Sequence, residues 1–119
     1  MKTAMPLLEL DDDACCVPIT RDVMSAADAA HWASRFKAIG DPARLRLLSL
    51  VAAHADGEAC VCDLTEAIGL SQGTISHHLR ILVDAGLLNR SKRGTWSYYS
   101  LVPGALDSLT SILTDHVNA

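Results

Sequence analysis

Four cysteines offer the most distinctive chemistry in this chain: Cys15 and Cys16 are adjacent, and Cys60 and Cys62 are separated by one residue. A thiolate is both a soft ligand and a nucleophile, so soft-ion binding, reversible disulfide formation and covalent catalysis are the chemistries open to them. Reducing conditions in a cytosolic chain disfavour a structural disulfide framework. Neither pair has the C-x-x-C spacing of a zinc finger or a thioredoxin site. On a continuous helix, side chains at i and i+2 diverge, and Cys60 and Cys62 could not share an ion. In an extended or turning segment they can, provided the sulfurs come within about 4 Å, as metal–sulfur bonds of roughly 2.3 Å require. A thiol at a helix N-terminus is expected to have a lowered pKa, although Asp63 opposes this. A thiol enzyme would need an anion-cradling loop, and the segments after Cys16 and Cys62 have neither the glycines nor a suitably placed arginine, so no catalytic residue is assigned.

A second group of residues suits nucleic acid. Gln72, Thr74, Ser76, His77 and Arg80 supply donors and acceptors to base edges or phosphates, with roughly 1–3 kcal/mol of discrimination for a well-made bidentate pair. Arg90, Lys92 and Arg93 are placed to grip backbone phosphates, adding affinity that falls as salt rises. Ser71 has two roles open to it, helix cap and contact. His78 lies nearer the apolar side and is assigned a structural role.

These residues need elements to carry them. Ser71 as N-cap and Gly86 beyond the C-terminus bound a helix to Asp84, with Ile75, Leu79 and Leu82 as its buried stripe. Gln72, Ser76 and Arg80 share another face, polar and without an acid. Cys62 to Ile68 reads as a shorter helix closed by Gly69, so the pair forms a helix-turn-helix. Leu87 to Ser91 and Thr95 to Leu101 flank Lys92-Arg93-Gly94 and read as a hairpin with a basic tip. Upstream, Ser25 with Asp28 opens a helix carrying Trp32, Phe36 and Ile39, which ends near Gly40. Asp41 then caps a helix with Pro42 at its first position, Leu45, Leu48 and Ala52 on one face, and Leu47, Leu50 and Val51 widening the stripe. Ala59 to Val61 reads as a strand fragment. Pro103 opens a last helix whose stripe, Leu106, Leu109, Leu113 and His116 or Val117, calls for a second copy of the chain.

The expected architecture is mainly α with a β-hairpin wing, an α+β winged helix-turn-helix that pairs as a homodimer. Residues 24–119 form that domain, and residues 1–23 form an N-terminal arm carrying Cys15 and Cys16. The 119 residues suit one domain with a net charge of −4, but the charge is uneven. From Ser71 to Ser100 four cations face only Asp84, a net +3, and the remainder carries −7. One basic surface on an otherwise acidic protein fits a specific DNA contact. No apolar run approaches the roughly 20 residues of a membrane span. Glu9, Asp11, Asp12 and Asp13 interrupt any signal-peptide core, so a soluble cytoplasmic protein with no membrane partner is expected.

FKAIGDPARLRLLSLV, CVCDL, LSQGTISHHLRILVDAGLL and RGTWSYYSL resemble the arsenical-repressor (ArsR/SmtB) family of metal-responsive transcriptional repressors over about residues 32 to 117. The resemblance implies a homodimer that occupies double-stranded operator DNA without metal and leaves when metal binds. One branch of the family places a third cysteine where this chain has Thr65. Another draws thiols from the arm of the opposite subunit, similar to what Cys15 and Cys16 offer. The family's site in the last helix needs an Asp and a His where this chain has Pro103 and Ala105, leaving only His116. The expected site therefore joins Cys15 and Cys16 of one chain to Cys60 and Cys62 of its partner. Its inducer would be As(III) or Sb(III), with Cd(II) or Pb(II) next. A thiol–disulfide redox sensor on the same fold is the alternative.

Overall fold

The computed structural model describes residues 16–19 and 22–117. Cys15 and most of the expected arm lie outside the described residues. Residues 16–19 and 22–25 belong to no helix or strand, and Val17, Ile19 and Val23 are exposed there.

Caps set the first two helices. The Ser25 hydroxyl accepts the Asp28 amide at 3.1 Å and opens α1, Ala26–Ile39. The Asp41 carboxylate accepts the amides of Ala43 and Arg44 at 3.0 and 3.2 Å and opens α2, Pro42–Ala53. The Arg44 amide, foremost, holds the Asp41 carboxyl below its ordinary range. After a 3-10 turn at Ala55–Gly57 come β1, Glu58–Cys60, then α3, Val61–Ile68, and α4, Gln72–Asp84. The hairpin strands β2, Leu88–Arg93, and β3, Trp96–Leu101, lead to α5, Ala105–His116.

α4 is capped at both ends. The Ser71 hydroxyl accepts the Thr74 amide at 3.2 Å. At the far end the amides of Gly86 and Leu87 each bond a carbonyl, Val83 and Leu82 respectively, at 3.0 Å. This paired closure requires the left-handed φ of +79° found at Gly86. A Cβ on Gly86 would sit 3.0 Å from the Arg35 guanidinium, so α1 lies close over the end of α4.

Leu47, Val51, Leu64, Ile75, Leu79, Leu82, Leu87 and Leu88 form the centre of the core. α2 packs against α3, α4, β1 and β3. Its buried side is Leu47, Leu48 and Val51, while Leu45 is 57% exposed and Ala52 is exposed, which corrects the expected phase of the stripe. Leucines on several faces of this helix left the phase to its neighbours rather than to its own period. Arg44 knits the layer together, with Nε donating to the Ala38 carbonyl at 2.6 Å and Nη1 donating 3.1 Å to Nδ1 of His78. His78 is thus a packing residue, as expected.

The strands form one antiparallel sheet in the order β1-β3-β2. Lys92 and Arg93 lie within β2, and the turn is Gly94–Thr95, starting two residues later than the expected Lys92-Arg93-Gly94. α5 starts two residues after Pro103, with Gly104 as its N-cap. Between α1 and α5 runs an apolar groove of about 520 Å³, lined by Phe36, Ile39, Leu106, Leu109, Leu113 and Val117 with two threonines.

Candidate functional site

β1 ends at Cys60, and the helical backbone of α3 begins only at Val61. Cys60 is therefore extended, with φ −76° and ψ 147°, and Cys62 is in the first helical turn. This strand-to-helix step brings together side chains that a helix would separate: the two Sγ atoms lie 2.8 Å apart. Cys60 is buried and Cys62 is exposed, so one sulfur anchors the pair and the other faces solvent. The donor set fits a soft ion.

The contact with Cys60 pushes the Cys62 thiol above its ordinary pKa, with burial and the charges of Cys60 and Asp63 adding to the effect. The expected lowering by the helix dipole is thus reversed at Cys62. A proton shared with the Cys60 sulfur is lost less readily, and the Asp63 backbone amide, which favours the thiolate, contributes less.

Among the described residues, no three His, Cys, Asp or Glu side chains converge on one ion. Thr65, one turn after Cys62, turns its hydroxyl back to the Val61 carbonyl at 2.8 Å. Cys16 is exposed, and Cys15 lies outside the described residues.

α4 and the wing enclose a groove of about 560 Å³. Gln72, Ser76 and Arg80 line one wall, and Arg90, Trp96, Ser97 and Tyr99 line the other. Ser71, Thr74, His77 and Lys92 are exposed nearby in sequence on the same elements. The Ser71 hydroxyl is engaged as the cap and also donates to Thr74 Oγ1 at 2.9 Å. Arg90 turns towards Ser97 Oγ at 3.4 Å. Asp84, one turn beyond Arg80, lines the same groove, so the polar face does carry an acid at its C-terminal end. Trp96, 52% exposed, was not singled out from sequence. Its signal is an aromatic two residues beyond the basic Lys92-Arg93-Gly94 stretch.

The pleat sorts the wing cations. Arg90 opposes Tyr99 and Lys92 opposes Ser97, and these share one sheet face. Arg93, Tyr98, Glu58 and Cys60 share the other. There Arg93 donates twice to Glu58, at 2.7 and 2.8 Å, with its guanidinium carbon 4.5 Å from the Tyr98 ring centroid. The ion pair holds the Glu58 carboxyl below its ordinary range and the Arg93 guanidinium above its own. Arg93, expected to join Arg90 and Lys92 on phosphate, pairs with a carboxylate on the opposite face.

Residues 41–90, from the α2 cap to the middle of β2, match the family described as "Bacterial regulatory protein, arsR family". The chain is 40% identical over 80 residues to the arsenical resistance operon repressor of Bacillus subtilis, a match covering 67% of this chain and 74% of that one. The chain belongs to the arsR family. A second relative, the transcriptional repressor SmtB homolog of Synechocystis, is 38% identical over 112 residues, covering 94% of this chain and 80% of its own. Among solved structures, a homodimeric winged helix-turn-helix DNA-binding domain from Mycobacterium bovis superposes with a TM-score of 0.64 at 26% identity, covering 82% of this chain and 87% of that one. This arsR-family chain is accordingly a DNA-binding transcriptional regulator on a winged helix-turn-helix, and not an enzyme. No helix among its described residues is long and apolar enough to cross a membrane.

Proposed function

We propose that this protein is a cytoplasmic repressor that holds operator DNA as a homodimer and releases it when As(III) or Sb(III) is captured by cysteine thiolates. The observation that carries this reading is the Cys60–Cys62 contact of 2.8 Å at the entry to the helix-turn-helix. Two sulfurs so close to the reading helices form a soft-donor site joined to a DNA-binding element. Cys15 and Cys16 from the arm of the second copy would complete the ligand set. The names of relatives in arsenical resistance support the same inducer class.

Operator contact falls to Ser71, Gln72, Thr74, Ser76, His77 and Arg80 on α4 and to Arg90 and Lys92 on the wing. The apolar groove between α1 and α5 is the pairing surface. Pairing sets the two recognition helices roughly 34 Å apart, one turn of duplex. Ion capture changes their separation or rigidity, and a hundredfold weakening requires only about 2.7 kcal/mol of coupling.

Cd(II) or Pb(II) would suit a site using all four sulfurs. The Cys60–Cys62 contact also favours a second reading, a reversible disulfide that senses oxidants. Fluorescence anisotropy of a labelled promoter duplex under reducing conditions separates these readings. Arsenite or antimonite should release the duplex, and replacing the four cysteines with serine should abolish release. Equal binding at saturating arsenite, antimonite, cadmium and lead would overturn the metal reading, and release by oxidant alone would support the disulfide.

A further inference from the structure

The wing is fastened to the strand that carries a thiol. β1 runs beside β3 with Cys60 opposite Tyr98 and Glu58 opposite Ser100, and β2 flanks the other side of β3. Arg93, the last residue of β2, spans β3 to reach Glu58 through two hydrogen bonds. Its guanidinium lies over Tyr98, the residue paired with Cys60. A bidentate arginine–carboxylate pair fixes orientation as well as distance. Glu58 precedes Cys60 by two residues on the same short strand, so a displacement of Cys60 moves Glu58 with it. Arg93 adjoins the Gly94–Thr95 turn and carries that movement to the wing tip.

We propose that Arg93 is a positioning residue that couples the thiol pair to the wing through Glu58, and is not a phosphate ligand. The wing cations then divide their work: Arg90 and Lys92 serve the duplex, and Arg93 serves the sensor. The coupling half of this proposal rests on the function proposed above, whereas the assignment of Arg93 away from phosphate rests on DNA binding alone. The pair is partly exposed, with Arg93 at 53% and Glu58 at 29%, so its loss removes little folding stability.

Full-length Arg93→Gln, Arg93→Lys and Glu58→Gln variants test this, with Arg90→Gln for comparison. The slope of log affinity for the operator against log salt is measured first, without any ion. Arg90→Gln should reduce it by about 1.8, because a dimer loses two phosphate contacts, whereas Arg93→Gln should leave it unchanged. The second measurement is the ratio of operator Kd with and without arsenite. All three clasp variants should lower this ratio by about fivefold or more, including Arg93→Lys, which keeps the charge but loses the fork. Combining Glu58→Gln with Arg93→Gln should lower it no further. A slope reduced by about 1.8 in Arg93→Gln would overturn the proposal, as would a wild-type ratio in all three variants. A wild-type protein insensitive to every ion would remove the sensor reading and the coupling with it, and the salt slopes would still decide whether Arg93 meets phosphate.

Discussion

Raising the pH from 6 to 8 should strengthen cadmium capture at the thiol pair about a hundredfold for the Cys62 proton alone, and leave arsenite capture nearly unchanged. The Cys62 thiol, held above its ordinary value by its contact with Cys60, remains protonated across that window. A divalent cation binds only the thiolate, so capture displaces the proton and weakens tenfold with each unit of acidification. Arsenite differs because it arrives as neutral As(OH)3. Each hydroxyl it loses takes up one thiol proton and departs as water, so the net proton count is zero. Titration calorimetry in buffers of different ionisation enthalpy counts protons directly. Cadmium should release at least one proton per site and arsenite about none. Cadmium binding without proton release would mean that Cys62 rests as a thiolate, and the argument from the sulfur–sulfur hydrogen bond would fail.

Leu113→Glu places a charge in the α1–α5 groove and should convert the proposed dimer to monomer in sedimentation, whereas an unchanged dimer would put the interface elsewhere. Ser71→Ala removes the α4 cap and should cost about 1 kcal/mol, lowering the thermal midpoint by roughly 3–5 °C at fixed protein concentration; an unchanged midpoint would refute the capping role. The Asp41 and Glu58 carboxyls are both held below their ordinary range, so the stability they contribute is present above that range and is lost as pH falls through their lowered values. The midpoint should therefore drop on acidification from pH 5 to 3, less steeply in Asp41→Ala, and a flat profile in the wild type would contradict both shifts.

The helices were legible because their starts are chemical. Ser25, Asp41 and Ser71 each cap an amide within three residues, a contact written in the local sequence. Non-local features were harder to read. β1 is three residues long, and its partner β3 begins some 36 positions after it ends, so its pairing is invisible to a local period. The same distance hid the Glu58–Arg93 clasp: sequence marked Arg93 as a basic wing residue, and only the sheet register shows which face it takes. At Cys62 the local dipole argument was sound in sign, but a sulfur two residues away outweighed it. The places of Asp84 and Trp96 on facing sides of the groove emerged only once the wing was folded against α4.

The apolar groove joins the first helix described to the last, bracketing in sequence every residue proposed to meet the duplex. During translation, α4 and the wing are therefore synthesised before the surface proposed to pair two copies is complete. On the proposed pairing, a product terminated short of Leu106 would keep the residues assigned to the duplex yet lose the α5 half of the surface for engaging a twin.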